Sequence, residues 1–297
     1  MVYKINVPLV GGGTRKKEII DSNRNLTVDE IRVGSIAQKS HMMGSTRGYS
    51  SGSASPNSGS NVIDKFPFAS DANATDVGDL TQSRSELAGQ SSSTHGYSSG
   101  GVGSPFANKY DTIDKFSLVA TANATDVGDL STARYSLAGQ SSTSNGYVSG
   151  GINPPTEPPT YVKKIEKFPF SSDANTTFVG DLTENRDELS GQSSPTHGYS
   201  CGGPPSPVVG NIIDKFSFSS DGNATDVGDL TVNRANTGGN SSSDNGYASG
   251  GFAPPPSTGF KNVIDKFPFS SDGNATDVGD LTVARNSLSE GQNSTSN

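Results

Sequence analysis

From about residue 45 onward the chain breaks into short runs in which apolar and polar side chains alternate, a period of two that suits half-buried strands. In one stretch these runs cover 136–143, 145–151, 161–170 and 178–183, each bounded by Gly, Asn, Asp or Pro. No stretch carries a period near 3.6, and Gly and Pro recur too often for helices. The pattern predicts an all-β protein.

The runs repeat. Ile-Asp-Lys-Phe starts at Ile63, Ile113, Ile213 and Ile264, and Ile-Glu-Lys-Phe at Ile165. Val-Gly-Asp-Leu follows 14 residues later, at Val77, Val127, Val179, Val227 and Val278. An arginine stands 7 residues after each Val: Arg84, Arg134, Arg186, Arg234 and Arg285. Then come Gly-Gln or Gly-Asn, and a Gly-Tyr whose tyrosines are Tyr97, Tyr147, Tyr199 and Tyr247, with an early copy at Tyr49. The period from Ile to Ile is 50, 52, 48 and 51 residues, the length of one four-stranded propeller blade.

The two ends look complementary. The last repeat stops after Gly291-Gln292, and the first begins at Gly48-Tyr49 without a clear strand before it. Residues 286–294 would therefore supply the first strand of a blade completed by 46–53, 61–68 and 76–82, since an unpaired strand edge is costly to leave open. That shared closing blade makes five blades. A rival alignment places 37–40 in that first-strand position.

The order Arg, small strand, Gly-Tyr-x-x-Gly-Gly, Ile-Asp-x-Phe, x-x-Leu, Arg resembles the kelch repeat over about residues 45–297. The resemblance implies a five-bladed kelch-like β-propeller, preceded by an extended arm at 1–44. Within that arm, Ile20-Asp21-Ser22-Asn23-Arg24-Asn25-Leu26-Thr27 resembles linkers in tail-fibre and other virion proteins of bacteriophages, especially marine ones.

Composition sharpens this picture. The net charge is −8 and hydrophobic residues are 30% of the chain. No apolar run is long enough for a membrane helix. The acidic balance excludes a basic nucleic-acid binder, and one cysteine excludes a disulfide scaffold. The arm holds seven basic side chains against four acidic, a net +3, which leaves −11 for the rest. A basic arm on an acidic ring suggests attachment for one and display for the other. Gly11-Gly12-Gly13 reads as a flexible break, and residues 1–10 are too short and polar for a signal peptide.

Candidate chemistry is sparse. Asp221, Asn223, Asp226 and Asp229 offer oxygen ligands for Ca²⁺, or they cap tight turns; the spacing lacks the closing Glu of an EF-hand, and no metal or cofactor is expected. Asn73, Asn123, Asn175, Asn223 and Asn274 each begin Asn-x-Thr, read as turn residues in preference to glycosylation acceptors. The repeat arginines are expected as buried partners of the Val-Gly-Asp aspartates, such as Asp79 with Arg84; an anion-binding ring is the alternative. The repeat tyrosines read as packing residues. His41, His95 and His197 are scattered, no nucleophile–His–acid order stands out, and the chain is expected not to be an enzyme.

Length variation is the most informative signal. Ile to Val is always 14 residues and Val to the following Tyr always 20, whereas Tyr to Ile is 14, 16, 18, 14 and 17. All variation lies in the link between the second and third strands. These links are rich in Pro and carry Phe106, Tyr110, Tyr161, Phe252 and Phe260 as candidate binding residues. In an up-and-down blade they share one face with the Arg-bearing turns, while the Asp-bearing loops and the His95 and His197 turns share the other. Variable loops on one face of a repeat fold often bind partners; mere tolerance of insertion is the competing reading. The expectation is a structural or adhesion protein of a phage virion. Its arm joins other virion proteins in an oligomeric assembly, and its loops meet a host-surface glycan or protein. The alternative is a carbohydrate-binding propeller lectin of cellular origin.

Overall fold

The computed structural model describes residues 4–8, 14–18, 47–53, 60–103, 108–153, 160–204, 210–254 and 258–286. It divides into two units, Met1–Gln38 and Lys39–Asn297. In the first, Lys4–Pro8 pairs antiparallel with Thr14–Glu18, with Lys4 opposite Glu18. The arm expected to be extended thus contains a hairpin. The Gly11-Gly12-Gly13 break lies outside the described residues.

The second unit is a five-bladed β-propeller of antiparallel sheets, and its described residues contain no helix. The third blade is representative. Ala138–Ser141 lines the axis, followed outward by Asn145–Ser149, Lys164–Pro169 and Thr177–Asp181. The second, fourth and fifth blades repeat this four-stranded order from Ala88–Ser91, Ser190–Ser193 and Gly238–Ser241 outward. The first blade shows three strands, Arg47–Ser53, Ser60–Pro67 and Thr75–Asp79. Its expected first strand at 286–294, and the rival at 37–40, lie outside the described residues apart from Asn286.

Blades hold together by stacking face to face. One core cluster joins Tyr147, Ile165, Val179 and Leu182 of the third blade to Phe216 and Ala224 of the fourth. The repeat tyrosine carries each junction: Tyr147 stacks on Phe218 at 4.7 Å between ring centroids and leans on Phe216 at 5.6 Å. Tyr97 and Tyr199 do the same to Phe168 and Phe170, and to Phe267 and Phe269. Such aromatic pairs add about 0.5–1.5 kcal/mol beyond the area they bury. The Gly before each tyrosine is required by close approach: a Cβ on Gly146 would sit 2.4 Å from the Phe168 ring. Gly150 is required by its backbone, at φ +65°, where side chains are costly.

Four of the five repeat arginines are buried, and their partner differs from the one expected. Arg84, Arg134, Arg186 and Arg234 are 0% exposed. They pair with Asp114, Glu166, Asp214 and Asp265 of the Ile-Asp/Glu-Lys-Phe strand, at 2.9, 2.7, 2.5 and 2.8 Å. Asp79 is not the partner of Arg84. It lies half-buried on an outer strand where water still reaches it, whereas the third-strand Asp114 is fully buried and needs a cation beside it. Arg84 also donates to the carbonyls of Ser98, Gly100 and Thr112, filling the end of its blade. Burial lowers the pKa of Arg84, Arg134 and Arg234, and the adjacent carboxylates oppose that shift. Arg285 departs from the set and is exposed.

Candidate functional site

The variable links rise from the Arg-bearing end of each blade. Ile152–Asn153 pairs with Thr160–Tyr161, and Phe252–Ala253 with Gly259–Phe260, as short hairpins. In the second blade a bridge between Val102 and Lys109 takes their place. Each hairpin base also bridges the residue after the repeat arginine: Val102 to Ser85, Ile152 to Tyr135, Phe252 to Ala235. These bonds put the variable links and the Arg turns on one face, as the parity of the strands implies. On the opposite face the Leu118 amide donates to the Thr94 carbonyl and the Phe170 amide to Ser144, joining the Asp-bearing loops to the turns that carry His95 and its equivalents.

The five aromatic candidates do not converge. Phe252 and Phe260 face each other across their hairpin at 6.1 Å, edge to face, and are 37% and 56% exposed. Tyr110 and Tyr161 are half-buried at the roots of their links. Burial, with the nearby Asp187 and Glu188 charges, pushes the Tyr161 hydroxyl pKa up. Phe106 lies outside the described residues.

Nearer the axis the same face holds a ring that residue types alone do not announce. Glu86, Ser136, Glu188 and Asn236 stand two residues after successive arginines, all at φ between 51° and 55°. Their backbones bond around the channel mouth: Ser136 N–H to the Glu86 carbonyl at 3.0 Å, Glu188 to Ser136 at 2.9 Å, Asn236 to Glu188 at 2.9 Å. The Ser136 hydroxyl donates to the Glu86 carboxylate. Asp187 beside it is 2% exposed, and its Oδ1 has no hydrogen-bond partner. Burial, reinforced by the Glu188 charge, raises its pKa to about 8. The available signal was positional: a polar residue recurs two after each arginine. The left-handed backbone was not legible, because Glu and Ser do not advertise it as Gly would.

Below the mouth the inner strands close in on one another. The Ser91, Ser141 and Ser193 amides donate to the hydroxyls of Ser141, Ser193 and Ser241, each at 3.0 Å. Gln90, Gln140 and Gln192 reach across to the Tyr147, Tyr199 and Tyr247 carbonyls. A cavity of about 110 Å³ remains, lined by Tyr49, Ser51, Tyr97, Ser141 and Asn240 among others.

On the opposite face the side chains of Asp221, Asn223 and Asp226, three of the four candidate ligands, are engaged in structure. The Asp226 carboxylate accepts the Gly228 amide at 3.1 Å, and Asp221 pairs with Lys167. The Asn-x-Thr asparagines act as latches between blades. Asn123, Asn175, Asn223 and Asn274 accept the amides of Asp79, Asp129, Asp181 and Asp229 at 3.0–3.1 Å. No group of three or more His, Cys, Asp or Glu suited to a metal ion occurs among the described residues. His95 bonds Thr94 through Nδ1, and burial lowers its pKa, with Lys115 adding to the effect. The buried Cys201 thiol donates to Gln192 Oε1 at 3.0 Å, and burial pushes its pKa up. His41 lies outside the described residues.

No family model matches the chain, and no curated protein matches it. Among solved structures it is similar to one titled "Structure of YjhT", at a TM-score of 0.66 and 11% identity. The match covers 84% of this chain and 87% of that one. At that identity the likeness shows the propeller fold.

Proposed function

We propose that this propeller is a non-enzymatic binding and display protein, and that it engages its partner through the face bearing the variable links. The Phe252–Phe260 pair carries the reading. Phe116, Phe168, Phe216 and Phe267 are buried at blade junctions, whereas these two stand exposed together on one hairpin. Exposed aromatic pairs supply apolar area at low entropic cost. The basic arm and the acidic propeller support a division of labour in which residues 1–44 attach the protein to a larger particle. The virion-linker resemblance of residues 20–27 points to a phage particle, with a host-surface protein or glycan as the partner, and the kelch-like motif order fits such a display scaffold.

The test pairs two variants. Phe252→Ala with Phe260→Ala should weaken capture of the protein by its host surface at least tenfold while leaving Tm unchanged. Asp226→Asn, on the opposite face, should leave capture intact. Normal binding by the aromatic double variant, with loss in Asp226→Asn, would move the binding surface to the other face.

A further inference from the structure

The repeats act as internal controls for the two residues that follow each arginine. These are Ser85-Glu86, Tyr135-Ser136, Asp187-Glu188, Ala235-Asn236 and Asn286-Ser287, and Asp187-Glu188 alone carries two acids. Its backbone setting also departs from the pattern. Ser85, Tyr135 and Ala235 each exchange two backbone bonds with the first residue of a link, Val102, Ile152 and Phe252. The matching residue of the fourth blade is Pro204, which has no N–H to give.

Asp187 is 2% exposed and its Oδ1 has no hydrogen-bond partner. Glu188 beside it is half-buried and Glu86 is exposed, and the charges of both act on Asp187. The root of the third blade's link lies against this pair. The Arg186 amide donates to the Val162 carbonyl at 3.2 Å, and the Asp187 and Glu188 charges act on the neighbouring Tyr161 hydroxyl. A buried carboxylate oxygen without a partner is costly unless a cation or donor meets it. Arg186 cannot serve, because it is spent on Asp214 and on the Gly202 and Ile212 carbonyls. A calcium ion would ask for about six to eight oxygens, and no metal-holding group of His, Cys, Asp or Glu occurs among the described residues. An ammonium group has three donors and no acceptor, and a tyrosine ring beside carboxylates suits an organic cation.

We propose that Asp187, Glu188 and Tyr161 form a site for a primary ammonium group, the end of a lysine side chain on a protein partner. Asp187 Oδ1 and the Glu188 carboxylate accept its N–H donors, and the Tyr161 ring flanks the cation. A guanidinium fits less well, since its five donors in a rigid fork would exceed the acceptors present. The site lies at the seam between the third blade's link and the entry to the fourth blade, on the face that bears the variable links. It therefore deepens the binding role proposed above, and rests on that reading for the source of the lysine but not for the site itself.

Butylamine hydrochloride is the probe for the site, titrated into the full chain above pH 8, where Asp187 is ionised, and followed by calorimetry. Expected is saturable binding to the unaltered protein, at least tenfold weaker in Asp187→Asn and in Glu188→Gln, and unchanged in Asp226→Asn on the opposite face. Absence of saturable binding, or equal binding by all four proteins, would overturn the site. Calcium chloride that raises Tm in the unaltered protein but not in Asp187→Asn, where butylamine does not bind, would overturn it in favour of a metal ion. Acetylating the lysines of the host surface should lower capture at least tenfold; capture that survives acetylation while butylamine still binds would overturn lysine as the ligand. The Phe252→Ala, Phe260→Ala variant keeps the two readings apart: intact capture there, with butylamine bound, removes the link-face reading and leaves the ammonium site standing.

Discussion

One face of the propeller carries loops whose length varies from blade to blade, and the other carries loops of fixed length. The difference lies in what each loop bonds. On the Asp-bearing face every described loop but the first reaches the preceding blade: Ala124 N–H to the Asp79 carbonyl, Thr176 to Asp129, Ala224 to Asp181, Ala275 to Asp229. The asparagine latches double these bonds, so an inserted residue would pull a junction apart. On the other face the links are bonded at their roots, Val102 to Ser85 after one repeat arginine and Gly101 to the carbonyl of the next, Arg134. Length varies beyond those roots, between the residues that make these bonds.

The largest expected effect comes from removing the plug beneath the tolerant face. Arg134→Ala leaves Glu166 buried without a cation and should cost about 3–5 kcal/mol in denaturant unfolding. Arg134→Met with Glu166→Leu should recover much of that cost, which separates the charge from the packing.

Asp187 at the mouth of that face should respond to pH. Its folded pKa, about 8, lies above the unfolded value of 3.8. The native state therefore holds the proton more tightly between those values. Stability from this group is fully present below pH 4 and is lost as pH rises through 8. Asp187→Asn should stabilise the protein above pH 8 by about 1–3 kcal/mol, the cost of an unsatisfied buried group, and by little at pH 4. A Tm difference that does not depend on pH would contradict this.

Insertion probes the comparison directly. One residue added between Asp173 and Thr177 breaks the Asn175 latch and should cost about 1–3 kcal/mol. Two residues added between Asn153 and Thr160 should cost only a few tenths of a kcal/mol, roughly the loop-entropy term. Equal costs would mean that the length asymmetry has no basis in the junctions.

The smallest effect is expected on the rigid face itself. Lys167→Ala removes the Lys167–Asp221 pair, whose side chains are 27% and 52% exposed. Such a pair contributes about 0–1 kcal/mol and less in high salt. A double-mutant cycle with Asp221→Ala would measure it.

Much of the architecture was legible because repetition turns one blade into several readings of the same signal. The runs at 136–143, 145–151 and 161–170 contain the first three observed strands of the third blade with a few residues to spare, and the run at 178–183 overlaps the fourth, which begins one residue earlier at Thr177. Strand ends were less legible because pairing stops where the next turn's bonds begin. The candidate site was read only in part. Phe252 and Phe260 are exposed together, but Tyr110 and Tyr161 point to the same links and lie half-buried at their roots. Aromatic composition marks a link without saying which ring its neighbours cover.

Alternation, period and fixed spacings by themselves determined the strand order, the blades and the face on which length may vary. These are local or repeating properties, dictated by the two-residue pleat and by turn chemistry. Tertiary structure alone decided which acid each arginine meets. Asp79 is five residues from Arg84 and Asp114 is thirty, yet Arg84 bonds Asp114 because stacking buries that carboxylate at the end of the blade and leaves Asp79 near water. Burial, and so the cost of leaving a charge unpaired, depends on which sheets stack, and no count along the chain contains that information.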